Sequence, residues 1–132
     1  MAFRNSATRN RKPDVLAAAC PSRGVLDHVA SRWGVLVLFS LREETLRFGE
    51  LREKVGGVSE KMLAQTLSTL ERDGLVRREA HAVIPPRVDY SLTTLGRALA
   101  ERVEHLVDFV ETNLTVITQA QSKYDRRKRG ET

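Results

Sequence analysis

The chain lacks several features that would place it in other classes of protein. Its 132 residues contain one cysteine, which excludes an internal disulfide, and a lone thiol is typical of a reducing compartment. Aromatic residues make up only 5%, too few to form stacking platforms for single-stranded nucleic acid. No apolar run is long enough to span a bilayer, and the polar residues 1–12 do not resemble a signal peptide. We therefore expect one cytoplasmic domain that does not enter a membrane.

The net charge of +5 comes from the two ends of the chain. Residues 1–12 carry four basic side chains and no acid, and residues 123–132 carry five basic and two acidic ones. The 13 basic and 15 acidic residues between them leave that part with a net charge of −2. We predict flexible basic tails over residues 1–13 and 123–132, and a folded domain over residues 14–122. Such tails can attract phosphate in a salt-dependent way or simply keep the protein soluble.

The spacing of apolar residues predicts helices at the start of the domain. A helical pattern begins at Pro21 and continues through Trp33, which is expected in the core. Gly34 should break or bend this helix. The run 35–41 that follows is apolar on all sides, so it is expected at the centre of the core. A polar turn over residues 42–45 ends this part of the chain.

The next segment has the pattern of a helix-turn-helix. A very short strand at residues 46–47 leads into a two-turn helix over residues 48–55, which the pair Gly56-Gly57 ends. Ser59 can then cap a longer helix that continues to a further glycine, Gly74. A short helix, a tight turn containing glycine and a longer helix, in this order, are typical of a helix-turn-helix.

Two strands are predicted after this helix, over residues 75–79 and 88–92. The loop between them contains Pro85-Pro86, which cannot continue a ladder, and the basic residue Arg87. A hairpin with a basic tip directly after a helix-turn-helix indicates a winged helix. The predicted fold class is therefore mainly α with a small β-hairpin (α+β), a winged helix-turn-helix with dimerisation helices at its N- and C-terminal ends.

A long apolar stripe near the C-terminus indicates self-association. Thr93 or Thr94 can cap a helix whose apolar residues recur in steps of three or four from Leu95 to Ile117. Such a stripe of about six turns is longer than a small winged domain can cover by itself, and it is therefore expected to meet another chain. A homodimer is the simplest arrangement, and its two-fold symmetry suits the paired half-sites of helix-turn-helix proteins.

One side of the longer helix is suited to recognising double-stranded DNA. With Leu63 at the centre of the buried side, steps of about 100° per residue place polar residues on the opposite side. Lysine can reach guanine or phosphate, glutamine can pair with adenine, and methionine can touch a thymine methyl group. The alternative is an ordinary solvated face. The predicted DNA-binding residues of this helix are Ser59, Lys61, Met62, Gln65, Thr66 and Thr69.

Two arginines outside this helix are further candidates for DNA contacts. Arg47, at the start of the preceding helix, can hold a phosphate. Arg87, on the hairpin, can enter a minor groove or hold a phosphate. The alternative for Arg87 is an ion pair with Asp89.

A series of short motifs occurs in order along the chain. It runs through Cys20-Pro21, Arg47-Phe48-Gly49-Glu50-Leu51, Gly57-Val58-Ser59, Asp73-Gly74-Leu75-Val76, Pro85-Pro86-Arg87-Val88-Asp89-Tyr90-Ser91-Leu92-Thr93 and Leu95-Gly96. In this order and spacing, over roughly residues 20–110, the motifs resemble the HxlR-type family of bacterial winged-helix regulators. The resemblance implies a homodimer joined through the N- and C-terminal helices, a palindromic operator, and control of transcription, mostly by repression.

Cys20 is the candidate for a reactive side chain. Because Pro21 favours the first turn of a helix, the thiol is expected at the positive end of that helix, near Arg23, where a thiolate is stabilised. The alternative is a small buried apolar residue. The resemblance adds that some family members respond to electrophiles or oxidants through the matching cysteine. With one cysteine in the chain, oxidation needs a second subunit or a small thiol.

Two other functions fit parts of the pattern. A winged-helix module that binds another protein would expose apolar residues on the longer helix, where this chain has Lys61, Gln65 and Thr69. An enzyme with Cys20 as nucleophile would need a base beside the thiol, and His28 lies about two helical turns away. The three histidines are widely separated and have no metal-binding spacing. We therefore expect a DNA-binding transcription regulator with no catalytic site, metal or cofactor, and with an inducer that the sequence does not identify.

Overall fold

The computed structural model of the chain describes residues 12–130. Most of the predicted N-terminal tail, residues 1–11, lies outside this part. The described residues form a mainly helical structure with a small antiparallel sheet, which confirms the predicted fold class. The helices are α1 Pro21–Val29, α2 Arg32–Ser40, α3 Phe48–Lys54, α4 Glu60–Arg72, α5 Thr94–Thr112 and α6 Leu114–Lys128, and the strands are β1 Leu46–Arg47, β2 Val76–His81 and β3 Arg87–Leu92.

The helix-turn-helix forms as the sequence predicts. Gly57 has a φ of +88° between α3 and α4, a left-handed conformation that glycine adopts without steric cost. Ser59 caps α4, since its hydroxyl accepts a hydrogen bond from the Met62 amide at 3.1 Å. Gly74, with a φ of +77°, follows the end of α4. These turns set the direction of α4 relative to α3 on one side and to the hairpin on the other.

The predicted break at Gly34 is wrong. α1 ends at Val29 and α2 begins at Arg32, and the Ser31 hydroxyl caps α2 by accepting a hydrogen bond from the Gly34 amide at 3.1 Å. Gly34 itself is buried inside α2, where a Cβ would overlap the backbone carbonyl of His28. Glycine is therefore required here for the close approach of α1 and α2, and it does not end a helix.

The core lies between α2, α4, α5 and the sheet. Within the run 35–41, Val37, Leu38 and Leu41 are buried as predicted, whereas Leu36 is exposed. Leu63, Leu67 and Leu70 bury one side of α4 in the same cluster. Trp33 is only partly buried and packs against the edge of this cluster. Burial of one side of α4 leaves its opposite side at the surface.

The sheet has the strand order β1-β3-β2, with β3 in the centre. The hairpin is longer than predicted, because β2 continues to His81 and β3 begins at Arg87, directly opposite. A contact of 2.9 Å between His81 Nε2 and Asp89 Oδ2 joins the two strands near this end. The connection is therefore residues 82–86, Ala-Val-Ile-Pro-Pro. The expected basic tip is wrong: the tip is apolar, and Arg87 belongs to the strand.

The predicted long C-terminal helix is divided at Asn113. α5 ends at Thr112 and α6 begins at Leu114, and the Asn113 side-chain amide donates a hydrogen bond to the Phe109 carbonyl at 2.8 Å. α6 continues to Lys128, so residues 123–128 are helical where a flexible tail was predicted. The reason is local, since neither glycine nor proline occurs between Leu114 and Arg129. The domain boundary at residue 122 stays a prediction.

Gly96→Ala should destabilise the fold. Gly96 lies in the first turn of α5, where a Cβ would overlap the Leu75 carbonyl oxygen, and the Thr93 hydroxyl donates to the neighbouring Gly74 carbonyl at 2.7 Å. Because this close contact joins α5 to the start of the hairpin, we expect a loss of about 1–3 kcal/mol in the free energy of unfolding. Urea denaturation followed by circular dichroism measures it.

The matched control is Gly49→Ala, since Gly49 is an exposed glycine of α3 with open space around it. We expect its free energy of unfolding to change by less than about 1 kcal/mol. An equal change in the two variants would show that helix propensity, and not the approach of α5 to Leu75, determines the effect.

Candidate nucleic-acid interface

The outward side of α4 carries a row of exposed polar side chains. The row consists of Lys61, Gln65, Ser68 and Arg72, and it lies opposite the buried leucines as predicted. Within residues 12–130, Lys61 has no ion-pair partner and the Gln65 amide makes no hydrogen bond. Both side chains are therefore available for an outside ligand that offers acceptors and donors, as the edges of base pairs do.

The start of α4 is suited to a phosphate group. The Ser59 hydroxyl accepts from the Met62 amide, and its proton remains able to donate outwards. The positive end of a helix attracts anions, although Glu60 in the first turn opposes this effect. Arg52 of α3 compensates for that carboxylate, because its Nη1 lies 3.0 Å from Glu60 Oε1.

Three predicted residues lie on a different flank of α4. Met62, Thr66 and Thr69 line a cleft toward the junction of α1 and α2, which Gln65 also borders, and both threonines are partly buried. The Thr66 hydroxyl donates to the Met62 carbonyl at 2.7 Å, so it can accept but not donate a further hydrogen bond. The predicted α4 residues therefore form an outward group, Ser59, Lys61 and Gln65, and a flanking group, Met62, Thr66 and Thr69, with Gln65 at the boundary between the two.

Arg47 lies beside the start of α4. Its amide donates to the Glu50 carboxylate at 2.8 Å, which fixes the first turn of α3, while its exposed guanidinium has no ion-pair partner in the described part of the chain. An open, shallow groove runs from Arg47 to Glu60, the first residue of α4. Arg47 and the first residue of α4 therefore border one groove, which Glu50 and Glu53 also line.

Arg87 forms an ion pair and remains partly exposed. Its Nε lies 3.6 Å from Asp89 Oδ1, which is the ion pair given as the alternative to DNA binding. That nitrogen is nevertheless buried without a hydrogen bond within residues 12–130, and more than a third of the side chain is exposed. The pair is therefore loose, and the guanidinium is not withdrawn from the surface.

Two contacts between histidine and aspartate were not predicted from the sequence. His28 of α1 meets Asp73, the C-cap of α4, with 2.7 Å between Nδ1 and Oδ2. His81 meets Asp89 across the hairpin. The second contact could have been found from the hairpin register, but the first joins residues 45 positions apart and has no local signal. It links α1 directly to the end of the helix that carries the polar row.

Cys20 occupies the N-cap position of α1, as predicted, and is partly buried. Its Sγ lies 3.1 Å from the Ser22 hydroxyl and accepts from the Asp14 amide at 3.2 Å. Hydrogen bonds from Ser22 and then from Asp14 lower the pKa of this thiol below its ordinary value. Arg23, which was expected to stabilise the thiolate, does not contribute to this lower pKa, and its guanidinium donates to the Leu16 carbonyl instead.

The described residues give no sign of two other kinds of site. Across residues 12–130, no three metal-ligating side chains are grouped so that they could hold an ion. In the same part of the chain, no helix combines the length and the apolar character needed to cross a membrane.

Comparison with known proteins gives consistent matches over most of the chain. The model of the HxlR-like helix-turn-helix family matches residues 28–118. The HTH-type transcriptional regulator YtfH of Escherichia coli K12 is 57% identical over 104 residues, which cover 79% of this chain and 82% of the relative. YdeP of Bacillus subtilis 168, also named an HTH-type transcriptional regulator, is 37% identical over 92 residues, covering 70% of this chain and 72% of YdeP.

Solved structures agree with these matches. The transcriptional regulator YtfH from Salmonella typhimurium superposes with a TM-score of 0.80 at 50% identity, covering 84% of this chain and 99% of that one. The redox regulator HypR in its reduced form gives a TM-score of 0.69 at 32% identity, covering 75% and 98%.

Lys61→Ala should weaken binding to a specific DNA duplex, and Gln65→Ala should reduce the preference for one base pair. Each removes a free polar group from the outward side of α4, so we expect a loss of about 1–3 kcal/mol, or about 5- to 150-fold in affinity. Fluorescence anisotropy with labelled duplexes measures both effects. Substituting each base pair in turn identifies the position where Gln65→Ala no longer discriminates.

Arg102→Ala is the matched control, because it removes one exposed charge from α5, where the side chain bonds, among residues 12–130, only to the Ala98 carbonyl of its own helix. If this variant weakens binding as much as Lys61→Ala, affinity follows net charge, and α4 is not the recognition surface.

Proposed function

We propose that this chain, which belongs to the HxlR-like helix-turn-helix family, represses transcription by binding a palindromic operator as a homodimer. It is a DNA-binding transcriptional regulator and not an enzyme. The observation that carries the proposal is the free polar row on α4, which borders the start of the helix and Arg47. In a winged helix, the recognition helix enters the major groove with its N-terminal part.

The proposed contacts divide into two kinds. Lys61 and Gln65 recognise base edges, while Ser59 and Arg47 hold phosphates beside them. Arg87 lies on the wing, where it contacts the minor groove or its phosphates. Met62, Thr66 and Thr69 have a secondary part in this arrangement, because they face the flank of α4 toward α1.

Exposed apolar residues at both ends of the fold support a homodimer. Leu106 and Phe109 of α5 are 54% and 65% exposed, and α1 and α6 expose further large apolar side chains, including Val25, Leu26, Leu114 and Val116. Exposed apolar patches of this kind usually mark an interaction surface. A second copy of the chain covers this surface in the proposed dimer and places two α4 helices on two half-sites.

We also propose that Cys20 makes the regulator responsive to oxidants or electrophiles. The lowered pKa raises the fraction of reactive thiolate. Structural relatives include the redox regulator HypR in its oxidised form and YodB after diamide treatment. Modification of Cys20 disturbs the start of α1, and the contact between His28 and Asp73 connects α1 to the end of α4. DNA affinity then changes although the thiol touches no DNA.

A protein-docking module is the alternative, and α4 does not favour it. Met62 is the large apolar side chain that this helix exposes, and it lies on the flank toward α1. Charged and polar residues occupy the outward side.

Titration onto a labelled fragment of the protein's own upstream region tests the function. A scrambled fragment is the control, and the titration is repeated at two salt concentrations. We expect a preference of about a hundredfold or more for the upstream fragment. Weak binding that is equal on both fragments and abolished by modest salt would contradict specific recognition, since it is typical of basic segments attracting phosphate.

The same titration after diamide treatment tests Cys20. Diamide takes two electrons and two protons from a pair of thiols, which become a disulfide between two Cys20 side chains or between Cys20 and an added small thiol. We expect the treatment to lower operator affinity in the wild type and to leave Cys20→Ser unchanged. An equal response in both proteins would show that Cys20 is not the sensor.

Leu106→Glu combined with Phe109→Glu should convert the dimer into monomers. Burial of the new carboxylates in an apolar interface is unfavourable, so sedimentation velocity should show one chain per particle and operator affinity should fall sharply. His105→Glu is the control, since it adds a charge at an exposed polar position of the same helix. Unchanged sedimentation of the double variant would exclude this face as the dimer interface.

A further inference from the structure

The wing tip, residues 82–86 between β2 and β3, is apolar and exposed to solvent. Ile84 is fully exposed and Val83 is 49% exposed, and Pro85 and Pro86 follow them. No residue of the wing tip is charged. An isoleucine side chain that lies entirely in water at the end of a hairpin contributes nothing to the core, so its apolar surface is available to a partner.

The strands behind the wing tip carry positive charge. Arg87 immediately follows the tip, and its loose pair with Asp89 leaves part of the guanidinium at the surface. The pairing of β1 with β3 sets Arg47 opposite Asp89, so a second exposed arginine lies on the same sheet. An apolar wing tip flanked by arginines is complementary to the minor groove of DNA. In that groove, phosphates lie along both edges and sugars and bases form the walls.

A protein partner fits the surroundings of the wing tip less well. Arg77, Arg78 and Glu79 are all exposed on β2, and charged residues are depleted in the centre of protein interfaces. The large apolar side chains suited to a second copy of the chain are exposed on α5 and α6. The pairing of Arg47 with Asp89 instead places the strand that follows the wing tip beside the groove that Arg47 and the start of α4 line.

On the basis of the proposed function, we propose that Ile84 is a wedge that enters the minor groove beside the major-groove site of α4 and partly unstacks a base step. Apolar wedges of this kind bend the duplex away from the protein's point of entry. Pyrimidine–purine steps unstack most easily, so the wing tip selects operators that carry such a step at a fixed distance from the bases recognised by α4. Part of the sequence preference then comes from DNA deformability.

The experiment uses the full chain and duplexes from its upstream region that contain the bound site. 2-Aminopurine replaces each adenine beside that site in turn, because its fluorescence rises on unstacking, and energy transfer between dyes at the duplex ends reports bending. Ile84→Ala removes the wedge, and Ile84→Leu retains an apolar side chain of the same size. Since Ile84 is fully exposed, neither substitution removes a core contact.

We expect the wild type and Ile84→Leu to bend the duplex and to raise the fluorescence at one step. Ile84→Ala should lose both signals and roughly tenfold in affinity for the operator, with its affinity for a scrambled duplex unchanged. Replacing the affected step by a stiff purine–purine step should weaken the wild type but not Ile84→Ala.

Equal bending and equal affinity of the wild type and Ile84→Ala would overturn the wedge and leave the proposed function intact. Loss of self-association or of binding to anionic vesicles in Ile84→Ala, with DNA binding unchanged, would overturn it in favour of a protein or lipid contact. If the wild type prefers no upstream fragment, the wedge and the proposed function fail together.

Discussion

The burial of one side of α4 against α2 determines how the DNA-facing surface is oriented. Leu63, Leu67 and Leu70 insert into the core beside Val37 and Leu38, so the helix cannot rotate without exposing them. Because a helix has 3.6 residues per turn, this burial determines which side chains face outward. The free polar row on α4 is therefore a consequence of core packing, and any variant that loosens the leucines also disturbs the surface that faces DNA.

Both ends of α4 are tied to other elements by polar contacts. At its start, Ser59 caps the helix and Arg52 of α3 pairs with Glu60. At its end, Asp73 meets His28 of α1. The first set keeps the positive end of the helix available to phosphate, and the second couples the helix to the segment that carries Cys20. A conformational change in α1 can therefore reach α4 through the contact between His28 and Asp73.

The hairpin combines two chemical characters. The Asp89 carboxylate contacts His81 of β2 and Arg87 of β3, so it is shared between basic side chains of two strands. Beyond this polar base the tip is apolar, with Ile84 entirely in water. A hairpin with charged strands and an apolar tip is suited to the minor groove of DNA, which has anionic edges and an apolar interior. The proposed role of the wing tip rests on this complementarity.

The elements that depend on local periodicity and on turn residues can be predicted from the amino-acid sequence. The helix-turn-helix, the Ser59 cap and the buried run around Val37 follow from apolar spacing and from glycines at fixed places, and so does the outward position of Lys61 and Gln65. The remaining features depend on contacts between residues that are distant in the sequence, so they arise only in the tertiary structure. Gly34 serves the approach of α1 to α2, His28 finds an aspartate 45 positions away, and strand pairing moves Arg87 from the tip into β3. Local sequence patterns do not predict which distant segments pack together, because those contacts form only when the chain folds around its core.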